Sequence, residues 1–267
     1  MLKTLFGSAA TLLVVAFLST GCSDRHAADS PSGRDLFSSA DSLAHKIEQF
    51  AGGRAAFASV PVLRFDWRIE NEGQTSFRAS HLWDRRNGVH RVEYDVGPDS
   101  QLVAVFSVND FDMEQPRGQV FVNGVSADST STSLLLAEAY ERFINDSYWL
   151  LAPFKLFDDG VHRTMTPDSS DTDSSVLRLT FENVGLTPGD RYWIRADSSG
   201  RVMSWSYQLE GGGRGYYHWA DYTPIPVAAG TLFVATRKQR GTRSILTEIL
   251  PADSLDRGIF QDPRPRL

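Results

Sequence analysis

The sequence predicts a mainly β chain of the α+β class. The expected architecture is a large curved antiparallel sheet of about eleven strands, in effect a half-barrel, with two or three helices on its concave face. Three observations lead there. Apolar and charged residues alternate without a miss in Leu63-Arg64-Phe65-Asp66-Trp67-Arg68-Ile69-Glu70, the pattern of a strand with one buried and one wet face. The same period of two returns along most of the chain. Helical periodicity appears in only two blocks, so strand follows strand too closely for the crossover helices that parallel pairing needs.

The chain opens with a different pattern. Met1-Leu2-Lys3-Thr4 carries one positive charge, Leu12–Leu18 reads LLVVAFL, and Ser19-Thr20-Gly21 are small. Those parts predict a secretory signal peptide over residues 1–21. The apolar stretch from Leu5 to Leu18 is short for a bilayer span and is interrupted by Gly7 and Ser8. The one cysteine of the chain, Cys22, follows directly. Small residues and then cysteine are similar to the lipobox of bacterial lipoproteins, with Leu18 one place earlier than the usual leucine. The resemblance implies that the Cys22 thiol carries a diacylglyceryl group and the new amino terminus an acyl chain. A thioether is inert where a free exported thiol is reactive, and two or more fatty chains hold a protein firmly on a membrane. In lipoproteins an aspartate directly after the cysteine marks inner-membrane retention. Here Ser23 stands there and Asp24 follows, which implies the outer membrane, with the domain facing the periplasm.

Residues 22–34 are small and polar and read as the lipidated N-terminus and a flexible tether. Residues 35–267 remain for a single domain. Removing the leader takes away one lysine and leaves 26 basic against 33 acidic residues, a balance of −7. That balance argues against a nucleic-acid partner.

Within the domain, Leu36, Ala40, Leu43, Ala44 and Ile47 recur at helical spacing over Asp35–Phe50, and Gly52-Gly53 ends the helix. Strands follow from Val60, near 75–84, 89–96, 101–108 and 118–122, with a turn at Arg85-Arg86-Asn87-Gly88. A second helix is expected over Thr132–Ile144, with Leu135, Leu136, Ala139, Tyr140 and Phe143 inward. Strand patterns resume near 175–183, 190–197, 201–209, 215–222, 231–237 and 243–250. Ser198-Ser199-Gly200 reads as a hairpin turn, 167–174 as an exposed loop, and Gly211–Gly215 as a wide hairpin loop. Alternation points Phe65, Trp67, Ile69, Phe77, Trp83, Leu179, Phe181, Met203, Trp205 and Tyr207 inward.

Catalytic signals are poor. Gly124-Val125-Ser126-Ala127-Asp128 comes closest to a nucleophile elbow and lacks its last glycine. The six histidines form no metal-type pair at close spacing, although His81 and His90 can meet across a hairpin. Asp168–Asp173 resembles part of a calcium loop without the central glycine or the distal glutamate. No enzymatic activity, no cofactor and no metal is therefore expected.

The densest stretch is Asn145–Gly160, NDSYWLLAPFKLFDDG. It is apolar without clean alternation, and Pro153 interrupts any helix. It is expected to be an irregular connection that either plugs the core or forms the wall or lid of a hydrophobic pocket. The candidate wall consists of Phe65, Trp67, Trp83, Tyr148, Trp149, Leu151, Phe154 and Trp205.

Tyr148-Trp149-Leu150-Leu151 with Pro153, Lys155-Leu156 and Gly160-Val161 is similar to a motif of outer-membrane lipoproteins of diderm bacteria. So are Leu179-Thr180-Phe181, Val184–Pro188 and Trp219-Ala220-Asp221-Tyr222. The order of elements resembles the LolA/LolB-like group of lipoprotein carriers, in which a concave sheet face holds acyl chains. The resemblance implies a lipid-anchored, non-catalytic periplasmic protein that binds an acyl chain, lipid or lipoprotein. The bulky inward rings keep a second expectation open: a structural or adaptor lipoprotein with a packed core, acting in envelope assembly through its outer surface. Its oligomeric state is left open by the sequence.

Overall fold

The computed structural model describes residues 33–166, 173–182 and 186–267, with side chains described from residue 39 onward. The leader, Cys22 and the tether up to residue 32 lie outside these residues, as does most of the expected 167–174 loop; residues 33 and 34, expected in the tether, begin the first helix. The described part forms one compact unit built on a single curved antiparallel sheet of thirteen strands. The half-barrel expectation holds. The two additional strands, β6 (Val125–Ser126) and β7 (Val161–Thr166), are the edges of the sheet; the first has only two residues, and in the second Arg163 takes an inward position and interrupts the alternation.

The sheet is two meanders joined at the middle. The first half runs β1 (Val62–Asn71), β2 (Gln74–Asp84), β3 (Val89–Gly97), β4 (Ser100–Ser107), β5 (Gly118–Val122) and β6. The second runs from β7 through β8 (Ser174–Phe181), β9 (Arg191–Asp197), β10 (Val202–Gln208), β11 (Arg214–Val227) and β12 (Gly230–Arg240) to β13 (Arg243–Ala252). Strands β1 and β13 pair along their full length, Phe65 opposite Ile249 and Trp67 opposite Thr247. The first and last strands thus form the spine, and every neighbour elsewhere is a hairpin partner.

Three helices cover one face. Helix α1 (Gly33–Phe50) lies over β7 and β8, and its Ala40, Leu43, Ala44 and Ile47 enter the core beside Leu177, Leu179 and Ile194. It ends at Gly52, whose φ of 115° suits glycine and where a Cβ would collide with the Thr231 carbonyl. Helix α2 (Gly53–Ala58) follows at once; six residues are too few to show a period. Helix α3 (Ser129–Leu151) lies over β4, β5 and β12. Asp128 caps it, its carboxylate accepting from the Thr130 and Ser131 amides at 3.0 and 3.1 Å.

The helix α3 differs from expectation at its C-terminal end. It continues through Asn145–Leu151 before a short 3-10 turn, Ala152–Phe154, takes Pro153. Asp146, Ser147, Trp149, Leu150 and Leu151 are all buried, and a helix enclosed on every side loses the polar stripe by which periodicity is recognised. A second difference is Met203. The β9–β10 register shifts between Val202 and Ser204, so Val202 and Trp205 both face the helices while Met203 faces solvent at 39 % exposure.

The other face is covered over β1–β4 by the chain after β13. Leu255, Ile259, Phe260 and Leu267 pack on Val62, Leu82, Val103 and Val105. Arg91, fully buried on β3, pins this tail by donating to the carbonyls of Ile259, Asp262 and Arg264 at 2.6–2.7 Å. Its Nε donates to Glu93 at 2.6 Å, and Glu93 accepts from the amides of Arg266 and Leu267.

Candidate functional site

The sequence-predicted wall converges on the space between α3 and the sheet. β1 contributes Phe65 and Trp67, β2 Trp83, β10 Trp205, α3 Tyr148, Trp149 and Leu151, and the 3-10 turn Phe154. Within that space they fall into two groups. Trp67, Trp149 and Trp205 share one cluster, with Tyr148 at its border. Phe65, Leu151 and Phe154 share the next, with Trp83 at its border. Six of the eight are buried, and Trp205 and Phe65 have no exposed surface. The side chains therefore pack on one another rather than line an open hollow. Two surface hollows lie elsewhere, one beside Val60, Pro226 and Pro251, the other beside Leu82, Leu255 and Ile259.

The centre of the first group is Trp205. Its ring stacks on Trp149 at 5.5 Å and 22°, and on Trp219 at 5.6 Å and 5°. Tyr148 and Tyr192 meet it edge-on at 5.7 and 5.0 Å. Aromatic contacts of these kinds contribute beyond their buried area. The column ends in a cation: Lys238 Nζ lies 4.9 Å from the centroid of the Trp219 ring.

Lys238 is fully buried, and among the described residues its ammonium has one hydrogen bond, donated to the Ala235 carbonyl at 2.6 Å. Burial lowers its pKa to about 7. Along the same column the indole N–H of Trp205, the indole N–H of Trp219 and the hydroxyl of Tyr148 have no hydrogen-bond partner among the described residues. Burial also pushes the Tyr148 hydroxyl far above its usual pKa, so it remains a protonated donor. Packed interiors normally pair such groups. Here four donor groups line one aromatic column with a single carbonyl between them.

The sequence did not single out Lys238 or Tyr217, and it marked Trp219 as part of a motif without placing it in the wall. The signal was present: the alternation that turns Leu232 and Val234 inward also turns Lys238 inward, one residue past the expected end of that strand.

A second buried polar group lies between β2, β3 and α3. His81 and His90 meet as the hairpin allows, but the facing nitrogens bond to each other, His81 Nδ1 to His90 Nε2 at 3.1 Å. His81 Nε2 lies 3.2 Å from Asp146 Oδ2, and all three side chains have no exposed surface. With a neutral His81 the proton order is determined: Nε2–H donates to Asp146, and His90 Nε2–H donates to the bare His81 Nδ1. His90 Nδ1 is then an acceptor without a partner. Desolvation, with His81 alongside, holds the His90 pKa well below its usual value. Phe65 stacks on His81 at 4.3 Å and Phe143 packs on His90 at 4.2 Å, so aromatic rings flank both imidazoles. Among the described residues no cluster of three or more His, Cys, Asp or Glu is arranged to hold a metal ion. Ser126, the nearest approach to a nucleophile motif, is exposed on β6, with no base bonded to it among the described residues.

No protein-family model matches the chain, and no curated protein does. Among solved structures, a DUF1329 family protein from Desulfovibrio piger is similar with a TM-score of 0.44 and 10 % sequence identity. The match covers 84 % of this chain and 97 % of that one. A likeness this remote carries no functional statement.

Proposed function

We propose that this chain is a lipid-anchored, non-catalytic envelope protein that takes an apolar or amphiphilic ligand, such as an acyl chain, between its curved sheet and its helices. One observation carries the reading: an aromatic column holds a buried lysine and three ring donors without a partner among the described residues. A guest with an acidic or carbonyl head would pair those donors, and its chain would replace ring contacts at about 0.8 kcal/mol per buried methylene. The interior is closed, so uptake requires α1 or α3 to move off the sheet. The anchor is Cys22, the compartment is the periplasmic side of the outer membrane, and kinship with the LolA/LolB-like carriers is part of the same proposal.

The test is titration of the purified protein with a fluorescent fatty acid. Saturable binding that weakens at least about tenfold in Lys238→Met supports the reading; no uptake in either protein contradicts it. The anchor is tested separately. Cys22→Ser should lose metabolic palmitate labelling and leave the membrane fraction.

A second reading is favoured by a different observation. Trp149, Trp205 and Trp219 already occupy the centre of the interior, as they would in an adaptor with a permanently filled core that acts through its outer surface.

A further inference from the structure

The strand register exposes an asymmetry on the outer face, the side of the sheet opposite the helices. Three rows cross the second meander there. The first is His162, Thr180, Arg191, Gln208 and Arg214. The second is Thr164, Arg178, Trp193, Ser206 and Tyr216. The third is Thr166, Val176, Arg195, Ser204 and His218. Four arginines, two histidines, one tryptophan and one tyrosine stand in these rows, and no carboxylate does. The chain as a whole has a net charge of −6, so basic residues are enriched in these three rows, and the next row on the same face carries Asp197 opposite Ser174. Carboxylates border it: Glu182 bonds His162 at 2.9 Å, Asp173 lies at the start of β8, and Glu210 lies in the loop after β10. Arg195 donates to Ser174. Arg178, Arg191 and Arg214 have no ion-pair partner among the described residues, and the latter two are exposed.

We propose that this face of β7–β11 docks on an anionic lipid surface. Arginine is suited to phosphate oxygens because its planar fork donates two parallel bonds. Trp193 and Tyr216, half-buried and exposed, have the ring-and-donor chemistry that favours the headgroup region of a bilayer. Fixed positive charge over an anionic leaflet is attracted within a Debye length of its surface. The choice of a leaflet as occupant rests on the anchor proposed at Cys22, which would hold the domain near one. The choice of this face rests on the register alone. Docked this way, the sheet would lie against the membrane with its helix-covered side, and the route to the interior, turned away.

The full chain carrying Cys22→Ser, which has no acylation site, is floated with vesicles of phosphatidylcholine alone or with about one-third phosphatidylglycerol. The expected result is at least about fivefold more protein on the anionic vesicles, falling to the neutral value near 0.5 M salt. Arg191→Glu/Arg214→Glu should abolish the difference. Arg86→Glu/Arg117→Glu, an equal charge change at exposed positions of the first meander, should keep it. Equal binding to both vesicles, or equal loss in both variants, overturns the proposal. So does a dimer in solution that Arg191→Glu/Arg214→Glu dissolves, because the face then belongs to a second copy. Flotation of the unsubstituted chain with neutral vesicles reads the anchor alone, so failure of the anchor and failure of the face are distinguishable.

Discussion

His81 and Asp146 meet at 3.2 Å with neither side chain exposed, and this contact joins the middle of β2 to the last third of α3. It is a polar tie across an otherwise aromatic layer. Arg142, one helical turn earlier, lies 3.8 Å from the same carboxylate oxygen.

Replacing Asp146 by leucine should cost about 2–4 kcal/mol in urea unfolding, because it leaves a buried imidazole N–H without its acceptor and Arg142 without its ion-pair partner. Asp146→Asn, which keeps an acceptor at the same place, should cost less than half as much. Equal losses would mean that packing volume, not the hydrogen bond, sets the stability.

Stability should rise with pH on the alkaline side of neutrality. The Lys238 pKa is about 7 in the folded state against an ordinary value near 10.4. Between those values the unfolded chain binds a proton that the folded chain does not, so stability falls as pH drops from about 10 to 7. His90, also depressed, adds a loss of the same sign below about pH 6.5, the ordinary histidine value. Lys238→Met should raise stability at pH 7 by several kcal/mol and flatten the slope above it. Unfolding midpoints over that range read both effects. A slope unchanged in Lys238→Met would mean that the lysine finds a partner or water when charged.

The tail on the outer face should hold the spine. Arg91→Met removes the three carbonyl bonds and leaves Glu93 buried without its cation. We expect a loss of about 3 kcal/mol or more, with faster hydrogen exchange in β3 and in residues 259–267 and little change in β8–β10. A uniform increase in exchange would show that the clamp serves the whole sheet.

The legibility of the chain follows the burial of its faces. Where a strand has one wet side, as in Leu63–Glu70, alternation reveals the element, its bounds and its inward residues. Where an element is almost wholly buried, as at Asp146–Leu151, no polar stripe remains, and a helix reads as an irregular plug. Local shifts are also silent: the bulge at Val202/Ser204 moves Met203 outward and leaves Trp205 inside. The eight wall residues were recognisable because they are large and apolar. Lys238 and Asp146 were not, because a charged side chain gives no sequence signal of burial beyond its place in an alternation. The two-residue β6 and the six-residue α2 are too short to show a repeated pattern, and in β7 Arg163 stands at an inward position between Val161 and Met165 and breaks the apolar alternation.

The central claim is that the interior accepts a lipid-like guest. Native mass spectrometry of protein purified from cells by a detergent-free route tests it most directly. The account predicts a species heavier than the acylated chain by the mass of one bound lipid or fatty acid, lost in Lys238→Met. A single species at the mass of the acylated chain, with a tryptophan core inaccessible to added fatty acid, would contradict it and leave the filled-core adaptor.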